Sequence, residues 1–354
     1  MQVSCDRNKK PRILLAGNFK PQDFEFSWRE WLLAHNYLVQ TLNPASILNN
    51  HLPSSNAQRL FHRFFRVPLV LFVSRQFVAT ACSFRPELIL VVSGNLISAN
   101  ALQTVRHETK ATLYHFYGED FFNPLNTTRT LRDASFLYDH LFTTKSFNVS
   151  ELAEIGLTQV SYIPHGYRPN CHFPVTISEA DRQQYGSDLA FVGTWEAERA
   201  STLAQLKEFD LRIWGAYWHK AGKELGLRGA IQNRAVYCDD MSRVFNASKI
   251  NLAFLRKANR DRHTSRTFEI PACGGFQLSE RTDEVLSFFE EGKEIECFES
   301  VDELKDKARY YLVHEAQRQR IASAGMARVQ RSGYSYTDRL QTILEYYSRN
   351  LISR

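Results

Sequence analysis

The stretch Arg266-Thr267-Phe268-Glu269-Ile270-Pro271-Ala272-Cys273-Gly274-Gly275 (RTFEIPACGG) decides how the rest of the chain is read. It predicts a short helix that starts near Thr267, holds Pro271 in or near its first turn, and ends at the two glycines. Free backbone N–H groups and the helix dipole make such a start favourable for an anion. Glu269 falls on the first turn, where an ionised carboxylate can accept two hydrogen bonds from a vicinal diol such as ribose. The same position also suits a carboxylate that only complements the helix dipole. Just upstream, the residues from Arg256 to Arg266 (RKANRDRHTSR) include five Arg or Lys, a dense set of donors for a diphosphate.

Outward from this segment the chain reads as two βα series. In the second half, strand candidates are Asp188 to Val192 ending at Gly193, Leu211 to Trp214 ending at Gly215, Arg234 to Tyr237, Ile250 to Leu255, Gly275 to Leu278 and Glu294 to Phe298. Ser300 and Glu303 form a capping box for a helix from Val301 to Leu312, and a last helix starts about Thr337. The first half has the same rhythm: Arg12 to Ala16 ending at Gly17-Asn18, a helix from Phe24 to Leu38, then strands Glu87 to Val92, Ala111 to Tyr117, His140 to Thr144 and Gln159 to Ile163. Asn148 with Glu151 resembles the capping box of a helix that stops at Gly156. Near-continuous apolar runs predict parallel strands buried on both faces. Pro164, Pro169 and Pro174 mark a linker in a polar stretch reaching Gly186. The expected organisation is an N-terminal Rossmann-like domain over 1–174, a C-terminal one over 175–336, and a terminal helix over 337–354 that packs back on the first domain. Two doubly wound α/β units carry their ligand loops at the carboxyl ends of the strands, so function is expected in those loops and in a cleft between them.

The 354-residue length suits two domains, and 44% hydrophobic with 23% charged residues is ordinary for a folded globular protein. The net charge of +6 favours anionic partners without choosing among them. The six cysteines are scattered, with no zinc-ligand spacing, which predicts reduced thiols, a cytoplasmic location and no structural metal. The polar, basic N-terminus lacks the apolar core of a secretory signal. The runs Val67 to Val73 and Leu88 to Val92 are too short to cross a bilayer, so no transmembrane anchor is expected.

Several separated motifs point the same way. Asp261 to Gly275, followed by Glu280-Arg281-Thr282 and the Ser300 to Leu312 helix, resembles the C-terminal domain of the CgeB-like glycosyltransferases, which in turn resemble the group 1 families of the two-domain GT-B fold. Those families place two carboxylates eight positions apart, the second opening a helix that ends in Gly; here they are Asp261 and Glu269. Asp261 stands where Glu is usual. Ile163-Pro164-His165-Gly166-Tyr167-Arg168 resembles the segment that closes the N-terminal domain in such enzymes. Phe191-Val192-Gly193-Thr194-Trp195 with Arg199 resembles their glycine loop and its diphosphate-binding basic residue, and Tyr334 to Arg339 their closing motif. The resemblance covers about Asp139 to the C-terminus. It implies a nucleoside-diphosphate sugar donor such as a UDP-, GDP- or TDP-sugar, a transfer that retains configuration, and a donor site built from Gly193, Thr194, Arg199, Gly215, Tyr217, Arg256, Asp261, His263, Thr264, Arg266, Glu269 and Gly274.

Transfer from such a donor builds negative charge on the departing diphosphate, which arginines can meet without a metal. No Asp-x-Asp pair occurs, so neither metal nor cofactor is expected. For the acceptor, a glycan, protein or lipid-linked group, the carboxylates Glu119 and Asp120 after the Ala111 strand are candidate bases, with His115 a third. A histidine inside a strand is equally consistent with a core position, and Glu119-Asp120 with a solvated turn. Gly17 and Asn18 would form the second cleft wall or a plain tight turn. Trp214 and Tyr217 could stack on a nucleobase, Trp214 equally well in the core. Arg59-Leu60-Phe61-His62-Arg63-Phe64-Phe65-Arg66 interleaves bases and aromatics as a membrane-surface contact would, and as an ordinary helix with solvated arginines would. A nicotinamide dehydrogenase is disfavoured because no GxGxxG follows a strand; Gly222, Gly226 and Gly229 have the wrong spacing. Nucleic-acid binding is disfavoured because the basic residues are spread along the chain. A non-catalytic nucleotide-sugar-binding protein on the same fold is the remaining alternative.

Overall fold

The computed structural model describes residues 10–49, 66–222 and 225–352. The chain divides into two compact units, Met1–Pro164 and His165–Arg354.

In unit 1 the strands are β1 (Ile13–Ala16), β2 (Val39–Leu42), β3 (Leu88–Val92), β4 (Thr112–Tyr117), β5 (His140–Thr143) and β6 (Val160–Tyr162). The helices are α1 (Phe24–Ala34), α2 (Pro44–Asn49), α3 (Arg66–Phe84), α4 (Ala99–Thr109), α5 (Arg129–Ser135) and α6 (Ser146–Glu154). The six strands form one parallel sheet in the order β2-β1-β3-β4-β5-β6. Every residue of β1, β3 and β4 is buried, as apolar runs covered on both faces require. The window Val67–Phe84 of α3 is long and apolar enough to cross a membrane, with mean hydropathy 1.5. Its apolar character thus runs well past Val73, but Val73, Phe77 and Ala81 are fully buried in unit 1. The basic, aromatic run from Arg59 lies outside the described residues as far as Phe65.

Unit 2 contains β7 (Leu189–Val192), β8 (Leu211–Trp214), β9 (Ile250–Ala253), β10 (Gln277–Glu280) and β11 (Glu296–Phe298). Its helices are α7 (Glu179–Tyr185), α8 (Ala197–Leu203), α9 (Cys238–Ala247), α10 (Arg266–Ala272), α11 (Asp283–Phe288), α12 (Val301–Val313), α13 (Glu315–Arg331) and α14 (Tyr336–Ile352). The sheet is again parallel, ordered β11-β10-β9-β7-β8. Ser300 caps α12 by accepting the Glu303 backbone N–H. The Glu303 carboxylate accepts the Glu299 N–H and not that of Ser300, so the box is not completed, and it also binds Arg281 and Lys307, holding α12 to the end of β10.

Several elements depart from the sequence reading. The helix expected to reach Leu38 stops at Ala34, and the polar run VQTL becomes edge strand β2. The helix expected to be capped by Asn148 begins at Ser146 instead. Asn148 is fully buried, accepts the Phe121 N–H and donates to Asp120, so it serves the loop after β4. No strand forms over Arg234 to Tyr237; β8 is flanked by a single bridge between Ile213 and Ile231. Pro271 lies in the last turn of α10, not its first. Residues 165–174 are not linker: they belong to unit 2, as does the helix after 336, which the sequence reading had set apart. The reading of six reduced cysteines is corrected by a disulfide between Cys171 and Cys238, 67 positions apart, which joins this segment to the start of α9.

The 165–168 segment is clamped by the one before α14. Tyr167 donates its N–H to Tyr334 O and accepts that of Tyr336, and the guanidinium of Arg339 donates to His165 O. Gly166 sits at the crossing, where a Cβ would lie 2.6 Å from Tyr334 O. Gly166→Ala must therefore shift backbone, and a loss of about 1–3 kcal/mol is expected in chemical denaturation of the full chain.

Candidate functional site

In unit 2 the chain leaves β7 towards β8 on one side and returns as β9 on the other, so the loops after β7 and β9 diverge at the carboxyl end of the sheet. Such a reversal point is where open α/β sheets bind ligands. The loop after β7 carries Gly193, Thr194 and Glu196; that after β9 carries Arg256 to Ser265 and feeds α10. A Cβ on Gly215, which has φ of +150°, would lie 1.9 Å from Gly193 O, so only glycine lets the β8 loop close on the β7 loop. Trp218 Nε1 donates to the same carbonyl at 2.9 Å.

Three arginines bind these loops together. Arg199, on α8, donates to Thr194 O and Phe254 O, bracing the ends of β7 and β9. Its Nε lies 3.6 Å from Glu196, which also accepts from Arg256 Nε at 2.9 Å. Burial draws the Arg199 pKa down. Arg266 donates through Nε to Val192 O at 2.9 Å and pairs through Nη1 with Glu269 Oε2. Burial, followed by the neighbouring Arg168 and Arg199, draws the Arg266 pKa down to about 10, so it stays charged at neutral pH. Of the loop arginines, Arg266 is 26% exposed and Arg256 37%, so both can still meet an incoming anion. Glu269 is buried.

Other expected donor residues take other roles. His263 is buried, with Nδ1 on Glu284 at 2.6 Å and Nε2 accepting the His165 N–H at 3.0 Å. Both ring nitrogens are committed to protein partners, so His263 is a strut between the 165 segment and the loop before α10. Gly274, with φ of +79°, ends α10 before β10 begins, at the opposite end of the sheet from the loop cluster, and is corrected from ligand contact to helix terminator. Thr264 shapes the chain ahead of α10, its Oγ accepting the Arg266 N–H. Asp261 accepts from Asn259 at 2.6 Å within its own loop. Tyr217 is half-exposed beside the Lys220 ammonium, whereas Trp214 is core.

Sequence reasoning named Arg168 only as part of a motif and passed over His172, both buried, because the surrounding prolines read as linker. It also passed over Glu196, and gave no role to Glu280, which accepts the Leu255 N–H at 2.6 Å and whose pKa burial pushes up.

In unit 1 the candidate groups separate. His115 is fully buried, stacked on Tyr138, with Nε2 3.3 Å from Ser93 O; it is a core histidine and not a group that meets an acceptor. Asp120 is also buried, and its Oδ1 accepts from Phe122 N–H and Asn148, so it organises the turn after β4. Glu119 is partly exposed and accepts from Asn126. The space beside Gly17 is filled by Glu25, whose carboxylate accepts the Asn18 N–H at 3.3 Å, so this turn is closed by protein.

Burial lowers the His115 pKa from 6.5 to about 4, opposed by its bond to Ser93. Between those values the unfolded chain takes up a proton that the folded one refuses, so stability falls as pH drops through this window. His115→Phe is expected to reduce the stability lost between pH 7 and pH 5 by about 2 kcal/mol, read by urea denaturation at both pH values.

These two parallel sheets and their crossover helices define an α/β GT-B fold, and comparison with solved structures bears this out. HepE from Anabaena in complex with UDP-glucose matches with a TM-score of 0.62 over 96% of this chain and 100% of that one, at 15% identity. Sucrose-phosphate synthase from Thermosynechococcus elongatus matches at 0.67 over 97% and 100%, at 11% identity. A UDP-N-acetylglucosamine 2-epimerase matches at 0.59 over 98% of both chains, also at 11% identity. Residues 198–345 match the family model described as glycosyl transferase-like, a segment that holds Arg199, Arg256, Arg266 and Glu269. No curated protein matches the sequence.

Proposed function

We propose that the protein is a glycosyltransferase that binds a nucleoside-diphosphate sugar in unit 2 and passes the sugar to an acceptor met by unit 1. The observation that carries this is a cluster of three arginines and two carboxylates at the reversal point of a parallel sheet, with Arg266 paired to the buried Glu269, and Arg256 and Arg199 beside Glu196. The match of residues 198–345 to a glycosyl transferase-like model supports it, as does UDP-glucose in the complex of HepE. The likeness of Asp261 to Gly275 to CgeB-like enzymes supports the finer placement.

The arrangement has a direct chemical use. As the sugar departs, negative charge grows on the diphosphate, and guanidinium groups already fixed by the loops would stabilise that charge without reorganisation. Three such cations make a divalent metal unnecessary in this reading, and transfer is expected to persist in EDTA. Glu269 would accept the ribose diol, Glu119 is the remaining candidate for the acceptor side, and the resemblance favours retention of configuration. A second reading, a nucleotide-sugar-binding protein without transfer, gains from the confinement of His115 and Asp120 to the interior of unit 1.

A thermal-shift panel of UDP, GDP, TDP, ADP and CMP tests the donor assignment. The matching nucleotide at 100 times its Kd is expected to stabilise the protein by about 2.7 kcal/mol, and Glu269→Ala is expected to abolish that shift. Equal shifts in wild type and variant would remove Glu269 from the donor site. Donor binding without transfer or hydrolysis in either wild type or Glu119→Gln would favour the second reading.

A further inference from the structure

His172 and Glu269 face each other in the interior of unit 2, their side chains 0% and 5% exposed. His172 Nδ1 accepts the backbone N–H of Arg168 at 3.0 Å. A backbone N–H can only donate, so Nδ1 is the bare nitrogen and a neutral ring carries its proton on Nε2. Burial, then Arg168 and Arg266, hold the His172 pKa well below its ordinary value, so the ring is neutral. Glu269 Oε1 lies 3.6 Å from Nε2, just beyond hydrogen-bond distance. Arg168 Nη2, another donor, stands 3.3 Å from the same nitrogen and cannot bond to it in this tautomer. A movement of about 0.5 Å would bring Nε2 and Oε1 to hydrogen-bond distance. On the opposite side Arg266 pairs with Oε2.

A carboxylate offers about four lone-pair sites, two on each oxygen. With Arg266 on Oε2, and His172 brought onto Oε1 by that movement, one site stays open on each, which suits two neighbouring hydroxyl groups. We propose that His172 is a positioning residue whose Nε2–H fixes the open edge of Glu269 for a vicinal diol, so that the site selects ribonucleoside over 2′-deoxyribonucleoside diphosphates. This rests on the donor reading above. It extends that reading to the kind of donor accepted, placing deoxythymidine-diphosphate sugars among the poor ones.

The test is calorimetric binding of UDP, GDP and ADP, each beside its 2′-deoxy counterpart, to the full chain and its variants. Wild type is expected to favour one ribonucleotide over its deoxy form by about tenfold or more, since the missing hydroxyl leaves a buried acceptor unpaired. His172→Gln places an amide nitrogen where Nε2 lies and should keep most of that ratio. His172→Asn reaches only the Arg168 N–H, so the ratio should fall towards one while affinity for pyrophosphate stays within about twofold. A purely structural His172 would move both affinities together and leave their ratio alone. A wild-type ratio retained in His172→Asn, or a ratio near one in wild type, overturns the role of His172 with donor binding intact. Failure of every ribonucleotide to bind overturns the donor reading and this inference with it.

Discussion

The guanidinium of Arg266 is the joint on which the candidate site of unit 2 depends. Through Nε it holds Val192 O, the last carbonyl of β7, and through Nη1 it holds Glu269 on α10. One side chain thus ties the end of a central strand to a seven-residue helix that packs on it. A buried charge removed from its partner is strongly destabilising, so Arg266 and Glu269 have to be considered as a pair. Arg199 repeats the device one strand along, bracing the loops after β7 and β9 by their carbonyls. The loops after β7 and β9 are therefore held together by charged side chains bonded to strand-end carbonyls.

Much of this was legible in the sequence. Strands such as LILVV and ILLA are fully buried and parallel, so their apolar runs could be read directly. Edge strand β2, VQTL, has only one neighbour and only Leu42 buried, so it has no such run and was absorbed into the preceding helix. Arg199, Arg266 and Glu269 were legible because they sit in loops and first turns next to glycines, where local spacing carries the signal.

What escaped was set by partners distant in sequence. His263 looks like a ligand-binding histidine in a basic loop until Glu284 and the His165 N–H are found on its two nitrogens. Arg168 and His172 lie among prolines that punctuate a linker, but their neighbours Glu269 and Arg266 are about a hundred positions away. His115 and Asp120 looked chemical for the opposite reason: polar residues near a strand end invite a functional reading, whereas burial decides their role.

The Cys171–Cys238 bond closes a covalent ring of backbone. Inside it lie α7, β7, α8 and β8, together with the Gly193 to Arg199 loop. A single cut in the backbone between those cysteines would leave both pieces tethered by sulfur. Only a reductant would then release them, so this part of unit 2 behaves towards a protease as a closed loop with no free end.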